Sequence, residues 1–151
     1  MLKRSVDRYP DKIAQFNPFK GKYKEVTYTQ LWDLVTVATW RLHERGLTKG
    51  SMVSAYSDNC FGWAVLDWAC FCMGIVLVPI YPTLPGDQAA YIVNDSGSKL
   101  VYVGGEKFEA NLAGKVNVPI IPLGTTDADL EHHIEKGRST MPADWPQQLA
   151  A

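Results

Sequence analysis

Histidine and cysteine are scarce, at three residues each in a chain of 151. Three cysteines are an odd number for a disulfide framework. Three scattered histidines give no Ser–His–Asp or Cys–His arrangement. A charge excess is missing too: 15 Lys and Arg stand against 16 Asp and Glu, a net of −1. Dedicated nucleic-acid binders carry a basic excess, so no nucleic-acid partner is expected. No apolar segment follows the charged start at Lys3, Arg4, Asp7, Arg8 and Asp11, so no signal peptide is read and a reduced, cytoplasmic location is expected. No internal repeat with matching side chains is found.

What is present is an ordinary globular composition, 46% hydrophobic and 21% charged. A chain of this length can bury a core of its own as one domain. Charge is unevenly placed, with ten Lys or Arg and five Asp or Glu in residues 1–50. Lys20, Lys22 and Lys24 cluster there. Three charges alone read as a solvated turn rather than an anion site.

Residues 2–8 read as a short helix stopped by Pro10. Ile13–Phe16 and Glu25–Tyr28 read as a hairpin, turned by Asn17–Gly21. Thr29 is the expected cap of a helix whose Leu31, Leu34, Val35, Ala38 and Leu42 share one face. Gly46 suits the left-handed position after it. Met52–Tyr56 is a strand, and Ser57, Asp58 and Asn59 are expected to cap the next helix. Phe61–Ile80 is twenty residues with a single charge, Asp67. A charge in mid-run and a turn to β-branched residues after Gly74 argue against a transmembrane span. The segment reads as a buried helix, a glycine cap and a central parallel strand, with Asp67 a satisfied buried polar group or a helix-face contact. Further elements are a helix at Gln88–Asn94, a strand at Leu100–Val103 and a weaker helix over 106–113. An edge strand at Val118–Ile121 and an acidic helix at Asp127–Lys136 follow. The domain is expected to span 1–137, with a loose tail over 138–151.

This alternation predicts an α/β fold: a mostly parallel, doubly wound sheet with helices on both faces, preceded by an N-terminal β-hairpin. Ligands in such sheets bind beyond the carboxyl ends of strands. The candidates there are Ser57, Asn59, Tyr81 and Thr83, with Gly104–Gly105 at a third strand end. No catalytic, cofactor-binding or metal residue is read from pattern alone. The segment after Tyr56 has one glycine where a dinucleotide fingerprint needs three, and Gly114-Lys115 fails as a P-loop. Cys70 and Cys72, two apart on a helix, cannot share a metal. His132 and His133, beside Glu131 and Glu135, diverge by about 100° and suggest a solvated helix face.

An ordered set of segments carries a resemblance: Val26-Thr27-Tyr28-Thr29-Gln30-Leu31, Gly46-Leu47-Thr48-Lys49-Gly50, Asn59 with Trp63, Gly74-Ile75-Val76-Leu77-Val78-Pro79-Ile80-Tyr81-Pro82-Thr83, and Tyr91-Ile92-Val93-Asn94-Asp95-Ser96. In order and spacing, residues 9–103 resemble the N-terminal region of AMP-forming acyl-CoA synthetases, in the adenylate-forming ligase superfamily. They are most similar to the long-chain fatty acid–CoA ligase branch. Ser51 departs from the Asp usual after Lys-Gly.

The resemblance implies, for full-length members, adenylation of a fatty acid with ATP and Mg²⁺, then acyl transfer to CoA. Fatty acid, ATP and CoA are thus ligands of the whole. The family's phosphate loop ending in Lys, aromatic-Gly-x-Thr-Glu motif, ribose-binding Asp and C-terminal Lys do not occur here. Leu123–Asp127 resembles the phosphate loop only superficially, lacking its following Gly and Pro-Lys. No cofactor is therefore expected for this chain alone. The expectation is an N-terminal fragment, structural and inactive by itself, with self-association through an exposed docking surface. The alternative is a stand-alone module binding a fatty acid or nucleotide.

Overall fold

The computed structural model describes residues 1–19, 22–124 and 127–150. Helix α1 (Leu2–Arg8) buries Leu2 and Val6. Strands β1 (Ile13–Phe19) and β2 (Lys22–Thr27) pair antiparallel, with a bulge between Ile13 and Gln15. This is the expected hairpin, but β1 runs through Asn17 and Pro18, past the predicted turn. Lys20 and Gly21, and with them the tip and one lysine of the cluster, lie outside the described residues.

Helix α2 (Tyr28–Glu44) is capped by Thr27 rather than Thr29. Thr27 Oγ1 accepts from the Gln30 N–H at 3.3 Å, and Gln30 Oε1 accepts from the Thr27 N–H at 2.9 Å. Two otherwise orphaned donors are satisfied reciprocally, which decides between neighbouring threonines. The Thr29 hydroxyl instead donates to the Pro10 carbonyl at 3.0 Å, pinning α2 to the chain entering the hairpin.

Four strands form the main sheet: β3 (Met52–Tyr56), β4 (Val76–Ile80), β5 (Val101–Val103) and β6 (Ile120–Pro122). They are parallel, in the order β4-β3-β5-β6. The crossovers are α3 (Phe61–Met73), α4 (Gly86–Asp95) and α5 (Glu106–Leu112). Alternate residues serve opposite faces. Val53, Ala55, Leu77, Tyr102 and Ile121 turn toward α2 and α3, while Tyr56, Ile80, Val101, Val103 and Ile120 turn toward α4 and α5. Helices on both faces of a parallel sheet, after a hairpin, are what the sequence predicts.

Strand β4 is an edge, not the central strand its apolar run suggests. The Val76 N–H donates to the Ser51 carbonyl at 2.8 Å. In a parallel ladder, successive residues then alternate toward and away from the neighbour. The backbone groups of Val76, Val78 and Ile80 face β3, and those of Leu77 and Pro79 face away from it. Pro79 therefore lies where a missing N–H costs the sheet nothing.

Helix α3 starts from Cys60 with no side-chain cap, so Ser57, Asp58 and Asn59 do not cap it. It closes at Gly74, left-handed at φ 65°, as the sequence predicts. Asp67 lies on the exposed side of α3 rather than inside the core. Among the described residues no helix is long and apolar enough to cross a membrane.

The loose tail gives way to structure. Helix α6 (Asp127–Thr140) continues past the predicted end, and α7 (Trp145–Ala150) follows. Both pack on α2. A Cβ on Gly137 would meet Val37 Cγ1 and Arg41 Cδ at 2.7 Å, so α6 comes to backbone distance of α2. Arg138 grips Asp33 through a two-pronged contact, at 3.0 and 2.6 Å. Trp145 is buried, its ring 5.1 Å from Trp40 and 4.7 Å from His43. These late elements explain why α2 buries Thr36, Val37 and Thr39 in addition to the predicted Leu31, Val35 and Leu42.

Candidate functional site

A doubly wound sheet offers a crevice where neighbouring strands send their crossovers to opposite faces. Here β3 leads to α3 on one face and its neighbour β5 leads to α5 on the other. The switch point thus lies between the carboxyl ends of β3 and β5.

The chain itself fills that crevice. Ser57 is buried directly after β3, and its hydroxyl donates to the Asp58 carbonyl at 2.7 Å. Its side chain lies against Gly104, where any Cβ would overlap the Ser57 hydroxyl oxygen. The Gly104 N–H donates to the Tyr56 carbonyl at 3.0 Å, drawing the two strand ends together. Of the four candidates, Ser57 is interior, while Asn59 and Thr83 are exposed and Tyr81 is 78% exposed. None of the four lines any of three cavities among the described residues. One is a shallow basin at α4 bordered by Leu84, Asp87 and Tyr91, and two others flank Arg45 on the α2 side.

Sequence reasoning missed Tyr56. Its side chain is completely buried, crossing from β3 to the α4–α5 face. The hydroxyl donates to the Leu84 carbonyl at 2.6 Å and accepts from Asn111 Nδ2 at 3.0 Å. The ring meets Phe108 edge-on at 4.7 Å. The end of β3 is thereby tied to the turn before α4 and to α5. The signal was a tyrosine closing a strand of small and apolar residues, since a buried phenol needs a polar partner. Nearby, Lys115 Nζ meets Asp87 Oδ1 at 2.8 Å, and that hydrogen bond holds the Asp87 carboxyl below the usual carboxylate range.

The remaining groups do not gather into a chemical site. Burial, reinforced by the Asp67 charge, pushes the Cys70 thiol up to about 12, and burial raises Cys72 as well. A thiol held protonated is a poor ligand and nucleophile. Partial desolvation by its neighbours on α3 also raises the carboxyl of the exposed Asp67. His132 and Glu135 are exposed on α6, and the side chains of Glu131 and His133 lie outside the described residues. Among the described residues no group of three His, Cys, Asp or Glu is placed to hold a metal. Of the segment resembling a phosphate loop, Leu123 is buried, and Thr125 and Thr126 lie outside the described residues.

The family model of AMP-binding enzymes matches residues 2–148. The chain belongs to this family. It is 27% identical over 148 residues to the long-chain-fatty-acid–CoA ligase FadD15 of Mycobacterium bovis, covering 94% of this chain and 25% of that one. It is 32% identical over 141 residues to the mitochondrial malonate–CoA ligase of Mus musculus, covering 85% of this chain and 24% of the relative. Among solved structures, it shares its fold with a fatty acyl CoA synthetase from Mycobacterium tuberculosis. The TM-score is 0.76 at 23% identity, over 94% of this chain and 28% of that one. The chain thus spans about a quarter of the length of these two relatives. Over those residues its fold is that of the matched part of the synthetase.

Proposed function

We propose that this chain forms the N-terminal shoulder of a long-chain fatty acid–CoA ligase and does not make acyl-adenylate by itself. The observation that carries the reading is the pairing of a family match over residues 2–148 with the lack of any sequence motif able to grip a triphosphate. Adenylyl transfer depends on positioned positive charge around the phosphates. The strand-end crevice, filled by Ser57, adds no room for one. In the whole ligase, ATP, Mg²⁺, CoA and a fatty acid would be held largely by residues beyond this chain. Asn59, Tyr81 and Thr83 would lie on the rim that the rest of the enzyme completes. Incubation of this chain with ATP, Mg²⁺, CoA and palmitate is expected to yield no thioester above background. ATP-dependent palmitoyl-CoA formation would overturn the reading.

The same proposal predicts a sticky flank. Phe71 on α3 is 63% exposed, and Val76 and Tyr81, at the two ends of β4, are 47% and 78% exposed. Exposed apolar surface of this kind favours association. A second copy of the chain is the expected occupant when nothing else is present. Sedimentation should show concentration-dependent dimers that Phe71→Ser weakens, and a strict monomer at high concentration would count against it.

A further inference from the structure

Two cavities lie side by side on the face of the sheet covered by α2. The inner one, about 60 Å³, lies between α2, α3 and the β5–β6 edge, with Ala38, Val65, Leu66 and Leu123 among its walls. The outer one, about 260 Å³, opens at the amino ends of β5 and β6 over Leu47, Leu100 and Pro119. Arg45 and Ile121 belong to both, so the cavities share a wall. The outer cavity lies at the opposite end of the strands from the crevice filled by Ser57, and the inner one reaches Pro122 and Leu123 at the carboxyl end of β6.

The chemistry of the lining is one-sided. Arg41 and Arg45 border the inner cavity, Arg45 and Lys99 border the outer, and among the described residues no carboxylate lines either. Arg41 is engaged, with Nη1 2.8 Å from Glu44 Oε2. Among the described residues, Arg45 and Lys99 meet no carboxylate. Arg45 instead faces the hydroxyl of Tyr102, which burial holds in its neutral form. A guanidinium and an ammonium over an apolar floor suit an anionic head on an apolar stem. The inner volume is below the roughly 150 Å³ that houses benzene in an engineered cavity, so the stem must be short.

We infer that the pair of cavities around Arg45 is a binding site for a short-chain amphiphilic anion, its head held by Arg45 and Lys99 and its stem directed along Ile121 toward Leu66 and Leu123. The site is separate from the ligase reading and does not depend on it.

Calorimetric titration of this chain with butanoate, butyl phosphate and butanol tests the inference. Butanoate is expected to bind saturably at one site, with butanol at least tenfold weaker. The exposed pair change Arg45→Gln with Lys99→Gln should lower butanoate affinity by roughly tenfold while the far-ultraviolet circular dichroism stays that of the folded chain. Ala38→Phe, which fills the inner cavity, should block binding. Butyl phosphate sorts the head group: tighter binding than butanoate assigns a phosphate, and weaker binding a carboxylate, provided the affinity falls in the double variant. Absence of saturable butanoate binding, equal affinity for butanol, or indifference to the double change would each overturn the site.

Discussion

The indole Nε1 of Trp145 donates to Thr39 Oγ1 at 3.0 Å, joining residues 106 positions apart in a buried contact. The Thr39 hydroxyl in turn donates to the Thr36 carbonyl at 2.6 Å, so α7 is bonded into the turn structure of α2. Trp145→Ala would remove a buried indole and leave a cavity, a loss of about 3–5 kcal/mol. Trp145→Phe keeps one aromatic ring but loses the hydrogen bond and part of the buried indole, at about 1–3 kcal/mol. Urea denaturation of both variants should give that order, with unchanged m-values.

Tyr56→Phe strands two polar groups, the Leu84 carbonyl and the Asn111 amide. Leaving buried partners unpaired costs about 1–3 kcal/mol. Because the phenol links β3 to the turn before α4, hydrogen exchange should quicken around residues 82–86 more than in α2.

Gly62 lies where α3 passes the exit of β6, and an added Cβ would fall 2.6 Å from the Leu123 carbonyl oxygen and 2.5 Å from that of Gly124. Backbone cannot yield as a side-chain tip can. Gly62→Ala should destabilise by about 1–3 kcal/mol. Gly46→Ala meets nothing within 4 Å and carries only the cost of its positive φ of 73°, so it should lose less in the same thermal melt.

Cys70 makes stability depend on alkaline pH. Its folded value, about 12, lies above the ordinary 9.0, so the native state keeps a proton that the unfolded chain gives up. The contribution is full below pH about 9 and drains away as pH climbs toward about 12. Cys70→Ala should flatten the fall in stability between those limits. Iodoacetamide at pH 8 should spare Cys70 in the folded protein and modify it once urea unfolds the chain.

Most of the architecture was legible because local chemistry and global packing agree in it. Met52–Tyr56 is a strand as read, and Gly74 caps α3 because only a left-handed residue turns the chain there. The reading failed where a competing signal was present but outweighed. Thr29 drew attention as a cap although the Thr27–Gln30 spacing already encodes a capping box. The apolar run of β4 suggested a centre, while Pro79 within it marked an edge. The tail looked loose because a few scattered residues anchor it, Arg138, Thr140, Met141 and Trp145 among them, and their spacing does not register as periodicity. The candidate site was legible only as a location. That Ser57 and Gly104 would close it depends on the approach of two strands distant in sequence, which no local pattern reports.

The clasp between Asp33 and Arg138 carries a consequence for synthesis. Helix α2 is made early, yet the groups that cover its Thr36–Thr39 side are made about a hundred residues later. A nascent chain leaving the ribosome must hold that side uncovered for several seconds at ordinary elongation rates of about 5–20 residues per second. Slow codons or a stall between α5 and α7 would lengthen the interval, and chaperone capture of the growing polypeptide should peak there.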